Sequence, residues 1–422
     1  MKVKYYDFAE CEIPNDRLKA VLEPRHVNGM ERAEFEEKLQ SILRERLAPE
    51  LVGVRRLLLL VDDITRQTPV SWILPTIFDI ANSCGVKDEY ITILVATGTH
   101  RRMTLSEQLK KYGETAVKRV RIFFHNYKTD VVEIGRTERG TPIVVNKLVL
   151  ENDFIIGIGM VTPHRVAGYS GGGKIVQPGI SGRETTGQTH WLSAQFAGCE
   201  ILGKVDNPVR EEIEAVAKAA GLKFIINIVP DRSGKPIELF AGKPLETFRK
   251  AAEFARSVFG VAARTSKIVL TDSYPADIEM WQASKGIYSA DLVLEDGGAL
   301  ILVSPCLEGV GAEFGDLIIK YGYKGFKDVK FLVESGELTN LIVAAHLVHV
   351  GRVIKDKGIG ILVSPGIEGG IARKIGFIPA KTLDEALKIA EALVGMQDIV
   401  VCKCGGELLP VFEREEEPTW KP

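Results

Sequence analysis

Short apolar runs recur along the chain, separated by stretches in which apolar residues return every three or four positions. These are the periodicities of buried strands and amphipathic helices. The pattern predicts strands over Arg56–Val61, Ile91–Ala96, Val120–Phe124, Phe154–Gly159 and Phe224–Val229, with helices over Ser71–Cys84 and Pro208–Ala220. A long amphipathic helix over Leu245–Ala263 closes this first unit. A second series follows, with strands over Lys267–Leu270, Ala299–Val303, Val329–Val333, Ile359–Val363 and Asp398–Val401. Helices near Ile278–Lys285, Glu337–Ile354 and Leu383–Leu393 separate them. Strands alternating with helices imply an α/β fold. The expected architecture is two α/β domains with largely parallel sheets and an active-site cleft between them. Their bounds are residues 1–264 and 265–405, with the linker near Arg264–Ser266. A polar tail, 406–422, ends in EREEEPTWKP and is left to pack back on the first domain.

Each early strand runs at once into polar residues: DDITR, TGTH, HNY and VTPH. Ligands of open α/β sheets gather beyond the carboxyl ends of the strands, so these segments are expected to share one rim. Across 422 residues, 45% are hydrophobic and 26% charged, the balance of a globular chain. A net charge of −2 excludes the electrostatic footprint of a nucleic-acid binder or of a protein held to an anionic membrane. No apolar stretch approaches the roughly 18 residues of a membrane helix, and MKVKYYDFAE lacks the apolar region of a signal peptide. The cytoplasm is the expected location. The six cysteines are scattered, unlike a disulfide framework, and Cys402 and Cys404 read as small residues at a strand end.

Three of the seven histidines, His100, His125 and His164, directly follow predicted strands. Imidazole titrates near neutrality and suits both proton transfer and metal ligation. In GYSGGGKIVQPG, residues Gly168, Gly173 and Lys174 fit the frame of a phosphate-binding loop. Ile175 stands where that loop needs Ser or Thr for magnesium, which disfavours a nucleotide triphosphatase. The glycines still allow a ligand close to the backbone, and the lysine offers a charge or a nucleophile. Arg66, beside Thr65 and a helix start, suits phosphate or carboxylate. Gln282 and Lys285 lie three apart on one helix face.

Taken together these segments resemble the nickel-dependent lactate racemase family. The matching elements are D-x-T-R at Asp63–Arg66, T-G-T-H-R at Thr97–Arg101, P-H-R at Pro163–Arg165, S-G-G-G-K at Ser170–Lys174, His190, and Q-x-x-K at Gln282 to Lys285. Their order and spacing hold across nearly the whole chain. The resemblance implies a racemase or epimerase of 2-hydroxy acids that uses a nickel-pincer nucleotide, a pyridinium mononucleotide gripping nickel through two sulfurs and a ring carbon. It implies that Lys174, in the Gly172–Gly173–Lys174 loop, can be joined to the cofactor, and that His190 completes the nickel coordination. Asp63, Thr65 and Arg66 then lie near cofactor and substrate, and His100 and His164 form the acid–base pair. Trp281, Gln282 and Lys285 reach the substrate from the second domain. Separate cofactor-building proteins are the implied partners.

The chemistry of a 2-hydroxy acid agrees. Its carbon-bound hydrogen leaves more readily as hydride, giving a 2-keto acid, and side chains do not accept hydride, so a cofactor is needed. Lactate racemase proper has a tyrosine at the position of Trp281 and a pocket tryptophan further on. This chain has tryptophan only at Trp72, Trp191, Trp281 and Trp420, and its stretch Ala345–His349 offers His346 and His349 instead. Both changes touch the expected substrate pocket. Two other readings stand beside this one. One is a zinc-dependent hydrolase with His100, His164 and His190 as ligands. The other is a non-catalytic nucleotide- or sugar-acid-binding protein.

Overall fold

The structure is a computed structural model that describes residues 1–412. It contains two six-stranded sheets. In the first, the strands run in the order Pro236–Gly242, Leu222–Pro230, Phe154–Met160, Leu57–Val61, Ile91–Val95 and Arg121–Phe124. All are parallel except Pro236–Gly242. In the second, entirely parallel, the order is Ile378–Ala380, Gly358–Val363, Leu294–Val303, Ser266–Asp272, Ile399–Cys402 and Leu18–Leu22.

Alternation along the first strand explains its place. Leu57, Leu59 and Val61 enter one apolar cluster with helix Val70–Ser83, while Leu58 and Leu60 enter another on the opposite face. Burial on both faces is what a parallel strand requires, and its unbroken apolar run supplies it. The second cluster continues into the other sheet through Val269, Leu300 and Val400, so one core spans both units. Strand order reverses between Leu57–Val61 and Phe154–Met160, and again between Ser266–Asp272 and Ile399–Cys402. Crevices open at such points.

Several elements differ from the sequence expectation. Val329–Val333 is not a strand but part of helix Phe326–Glu334. Its apolar residues serve a helical face: Val329 is fully buried, while Phe331 is 69% exposed. The helix expected over Leu245–Ala263 ends at Phe259, and Gly260–Ala262 becomes a strand paired with Leu409–Val411. That pairing returns the start of the tail to the end of the first unit, while 413–422 (EREEEPTWKP) lies outside the described residues. Residues 1–22 were expected with the first unit. Here Leu18–Leu22 extends the second sheet beside Ile399–Cys402, and Val3, Tyr5 and Cys11 of the preceding hairpin pack on that sheet's outer face. No helix among the described residues is long and apolar enough to cross a membrane.

The two units meet through helices Arg183–Ala194 and Leu341–Gly351. A Cβ at Gly187 would lie 3.2 Å from the Leu341 Cβ, so the missing side chain lets the helices close. Ser193 and His349 hydrogen-bond at 2.9 Å across the contact, and Arg352 donates to the Ala194 and Phe196 carbonyls. Gly187→Leu is expected to destabilise the protein by about 1–3 kcal/mol through overpacking. Denaturant unfolding would measure it, and unchanged stability would show that the contact is looser than described.

Candidate active site

The cavity between the units is lined by Asp63, Thr65, Arg66, His100, His164, Lys174, His190, Trp281, Gln282 and Lys285. Its open volume of about 220 Å³ exceeds what a few trapped waters need. Gly172 and Gly173 lie behind this wall. Their N–H groups donate to Asn227 Oδ1 at 2.9 Å and Glu214 Oε1 at 3.0 Å. Protein atoms, not a ligand, crowd these glycines: a Cβ at Gly172 would meet Phe248 and Glu214, and one at Gly173 would meet Ala217 and Glu214. Arg210 ties the loop down, donating to the Ala167, Gly171 and Tyr169 carbonyls and to Glu214. The loop is therefore a clasp that aims Lys174 into the cavity.

The loop after the first strand is held from below. Lys111 pairs with Asp62 at 2.8 Å and donates to the Arg66 and Thr68 carbonyls, while the Tyr112 hydroxyl donates to the Asp62 carbonyl. This anchor presents Asp63, which is buried and accepts from the Thr65 N–H at 3.0 Å and from the Thr65 hydroxyl. Its other oxygen lies 2.8 Å from His100 Nδ1. Burial raises the Asp63 carboxyl, but the His100 hydrogen bond and the His100 and Arg66 charges outweigh it and hold it at about 2. An ionised carboxylate only accepts, so His100 Nδ1 donates to Asp63 and Nε2 is left for a ligand.

His164 has the opposite pattern. The Val166 N–H donates to its Nδ1 at 3.1 Å, so the ring proton is on Nε2. Burial, then the charges of Lys174, Lys285 and Arg66, push its pKa well below 6.5 and keep the ring neutral. His190 donates from Nδ1 to the Thr186 carbonyl at 2.8 Å, one turn back on its helix, which frees the Nε2 lone pair. Burial and the Lys174 charge bring its pKa down to about 4. The Lys174 amine has no hydrogen-bond partner among the described residues, and burial with the Arg66, Arg210 and Lys285 charges lowers its pKa well below 10.5. Lys285 is lowered to about 7 by burial and by Arg66, with Glu407 opposing.

Trp281 stacks on His346 with ring centroids 3.9 Å apart. The Tyr288 and Tyr323 hydroxyls lie 3.3 Å from the two His346 nitrogens, and burial drops that ring to about 3. His346 is thus a fixed, neutral wall. His125 is not at this rim: its Nε2 meets the Ser181 carbonyl at 3.0 Å and its Nδ1 meets Asn146, a structural role at the sheet edge. Arg101 is paired with Glu107, and Arg102 covers Phe124. Among the described residues no three His, Cys, Asp or Glu groups converge to hold a metal. Lys111, Glu214 and Asn227 went unnoticed in the sequence because nothing local marks a residue that supports a site from behind.

Residues 6–198 match the lactate racemase N-terminal domain and residues 261–407 the lactate racemase C-terminal domain. A lactate racemase of Lactiplantibacillus plantarum is 31% identical over 357 residues, 81% of this chain and 82% of that protein. The chain belongs to the lactate racemase family. Membership makes it an isomerase of the racemase type. A lactate racemase of Thermoanaerobacterium thermosaccharolyticum is 29% identical over 402 residues, covering 91% of this chain and 92% of that protein. Its apoprotein structure superposes with a TM-score of 0.84 at 26% identity, over 96% of this chain and 97% of that one. A Thermotoga maritima crystal structure, 24% identical with a TM-score of 0.74 over 92% of this chain and 100% of that one, shares the fold.

The depressed histidines carry a pH dependence. Unfolding returns His190 and His346 from about 4 and about 3 to the ordinary 6.5, so the unfolded chain binds more protons below 6.5. Stability is expected to be full above pH 6.5 and to fall progressively as the pH drops from 6.5 to about 3. Thermal unfolding of the protein and of His346→Gln would test this, the variant giving the shallower decline.

Proposed function

We propose that the chain racemises or epimerises 2-hydroxy acids, lactate or a close relative, with a nickel-pincer nucleotide held by Lys174 and His190. The observation that carries this reading is the opposite hydrogen bonding of two histidines, His100 Nδ1 to a carboxylate and His164 Nδ1 from an N–H, at one cavity that also holds an unpartnered lysine amine and a free imidazole lone pair. The donor set fits the cofactor. An amine free of hydrogen bonds and pushed by burial toward its uncharged form is suited to acylation. An imidazole whose Nδ1–H is fixed by a carbonyl is oriented as a metal ligand. A metal delivered within a tridentate cofactor needs only one protein ligand, whereas a zinc hydrolase needs about three, and no such set converges among the described residues.

When bound, the cofactor supplies the hydride acceptor that no side chain provides. The protein's part is binding and proton movement. Arg66 and Lys285, cations from the two units, hold the substrate carboxylate. His100 Nε2 takes the hydroxyl proton of one enantiomer, and Asp63 stabilises the imidazolium that results. His164, with Nε2–H, holds that oxygen by a hydrogen bond from the other side, and the proton kept on His100 returns to the oxygen once the hydrogen is back on carbon, so that neither ring is left as an imidazolate. Arg66 and Lys285 would keep the planar 2-keto acid between the units. The six free cysteines, none paired, suit the cytoplasm, where thiols stay reduced. Cofactor-building proteins are the partners this reading requires.

Protein made alongside those cofactor-building enzymes is expected to hold about one nickel per chain, lost in His190→Ala and Lys174→Ala. Metal analysis showing zinc instead, or nickel indifferent to His190, would defeat the assignment. His100→Ala and His164→Ala should retain nickel and lose about 10²–10⁴-fold in kcat, read by chiral chromatography. The substrate KM should rise as pH increases through about 7, where Lys285 gives up its proton, and Lys285→Arg should flatten that rise.

A further inference from the structure

The cavity does not end at the reacting groups. Its wall continues between the units to Arg165, Tyr288 and His349. Arg165 and His349 are only 4% and 3% exposed, yet Arg165 Nη1 and His349 Nδ1 have no hydrogen-bond partner. Buried polar atoms are almost always paired, and each orphan calls for an explanation. The other Arg165 terminal nitrogen donates to the Phe196 carbonyl at 2.8 Å, and the guanidinium is in ion-pair contact with no carboxylate among the described residues.

The state of His349 follows from its neighbour. Ser193 Oγ lies 2.6 Å from the His190 carbonyl, which only accepts, so the serine proton points there. Ser193 Oγ therefore accepts from His349 Nε2–H at 2.9 Å, and Nδ1 is left as a bare lone pair. This end of the cavity offers a cationic donor from one unit and a neutral acceptor from the other. An alkyl tail satisfies neither. A carboxylate tail satisfies Arg165 but sets its lone pairs against His349. A hydroxyl accepts from Arg165 and donates to His349.

We propose that Arg165 and His349 form a subsite for the hydroxyl-bearing tail of a polyhydroxylated 2-hydroxy acid. The proposal rests on the 2-hydroxy-acid reading above. His346 cannot take this role, because both its nitrogens meet tyrosine hydroxyls. Its stack with Trp281 supplies a flat apolar wall along the cavity.

The test uses nickel-loaded enzyme and 2-hydroxy acids of three to six carbons, each compared with its analogue hydroxylated beyond C2. Inversion at C2 is followed by chiral chromatography. At some chain length the hydroxylated acid should be preferred by about tenfold or more in kcat/KM, the scale of a hydrogen bond to a charged group. His349→Phe should bring that ratio close to one. His349→Gln, which keeps an amide oxygen as acceptor, should retain part of it and covers the case in which the phenylalanine variant does not fold. Equal kcat/KM within every pair would mean that a trapped water alone fills the subsite, overturning the proposal while the racemase reading stands. A preference that survives both substitutions would also overturn it. Nickel-loaded enzyme that inverts no acid, lactate included, would defeat the broader reading and the subsite with it.

Discussion

The contact between helices Arg183–Ala194 and Leu341–Gly351 is the constraint on which the site depends. The first carries His190 into the cavity and the second carries His346 and His349. Close approach at Gly187 sets their separation, and the Ser193–His349 hydrogen bond with the Arg352 contacts sets their register. Each sheet alone presents half a site at its reversal of strand order. The packed units bring Lys285 and Trp281 over the rim that holds His100, His164 and Lys174.

Electrostatics within that cavity are unfavourable by design of its contents. The Arg66 charge depresses Lys174, Lys285 and His164, while Asp63 is already engaged by His100. Such a concentration of positive charge, with its desolvation, is sustained by packing elsewhere and suits anionic ligands. It also keeps His164 and His190 neutral.

The glycine-lysine segment has a different logic from the phosphate loop it resembles in sequence. A phosphate loop spends its backbone N–H groups on the ligand. Here Asn227 and Glu214 take those of Gly172 and Gly173, and Arg210 takes carbonyls, so that much of the backbone is consumed internally while the lysine side chain lines the cavity.

Read alone, the sequence determined the α/β class, nearly every central strand and the candidate residues, because these depend on local periodicity and on residue chemistry at strand ends. The order of D-x-T-R, T-G-T-H, P-H-R and S-G-G-G-K was enough to suggest the family. Tertiary structure decided what local pattern does not encode. Val329–Val333 is apolar enough for a strand, but its partners make it a helix. Leu18–Leu22 joins a sheet whose other strands begin more than two hundred residues later, a pairing set by packing across the fold. His125 shares a strand-end position with His100 and His164 and still turns away, since the edge strand leaves it facing Asn146 and Ser181. Which nitrogen of each histidine carries its proton was decided there too, because the partners Asp63, Val166, Thr186 and Ser193 meet those rings only in the folded chain.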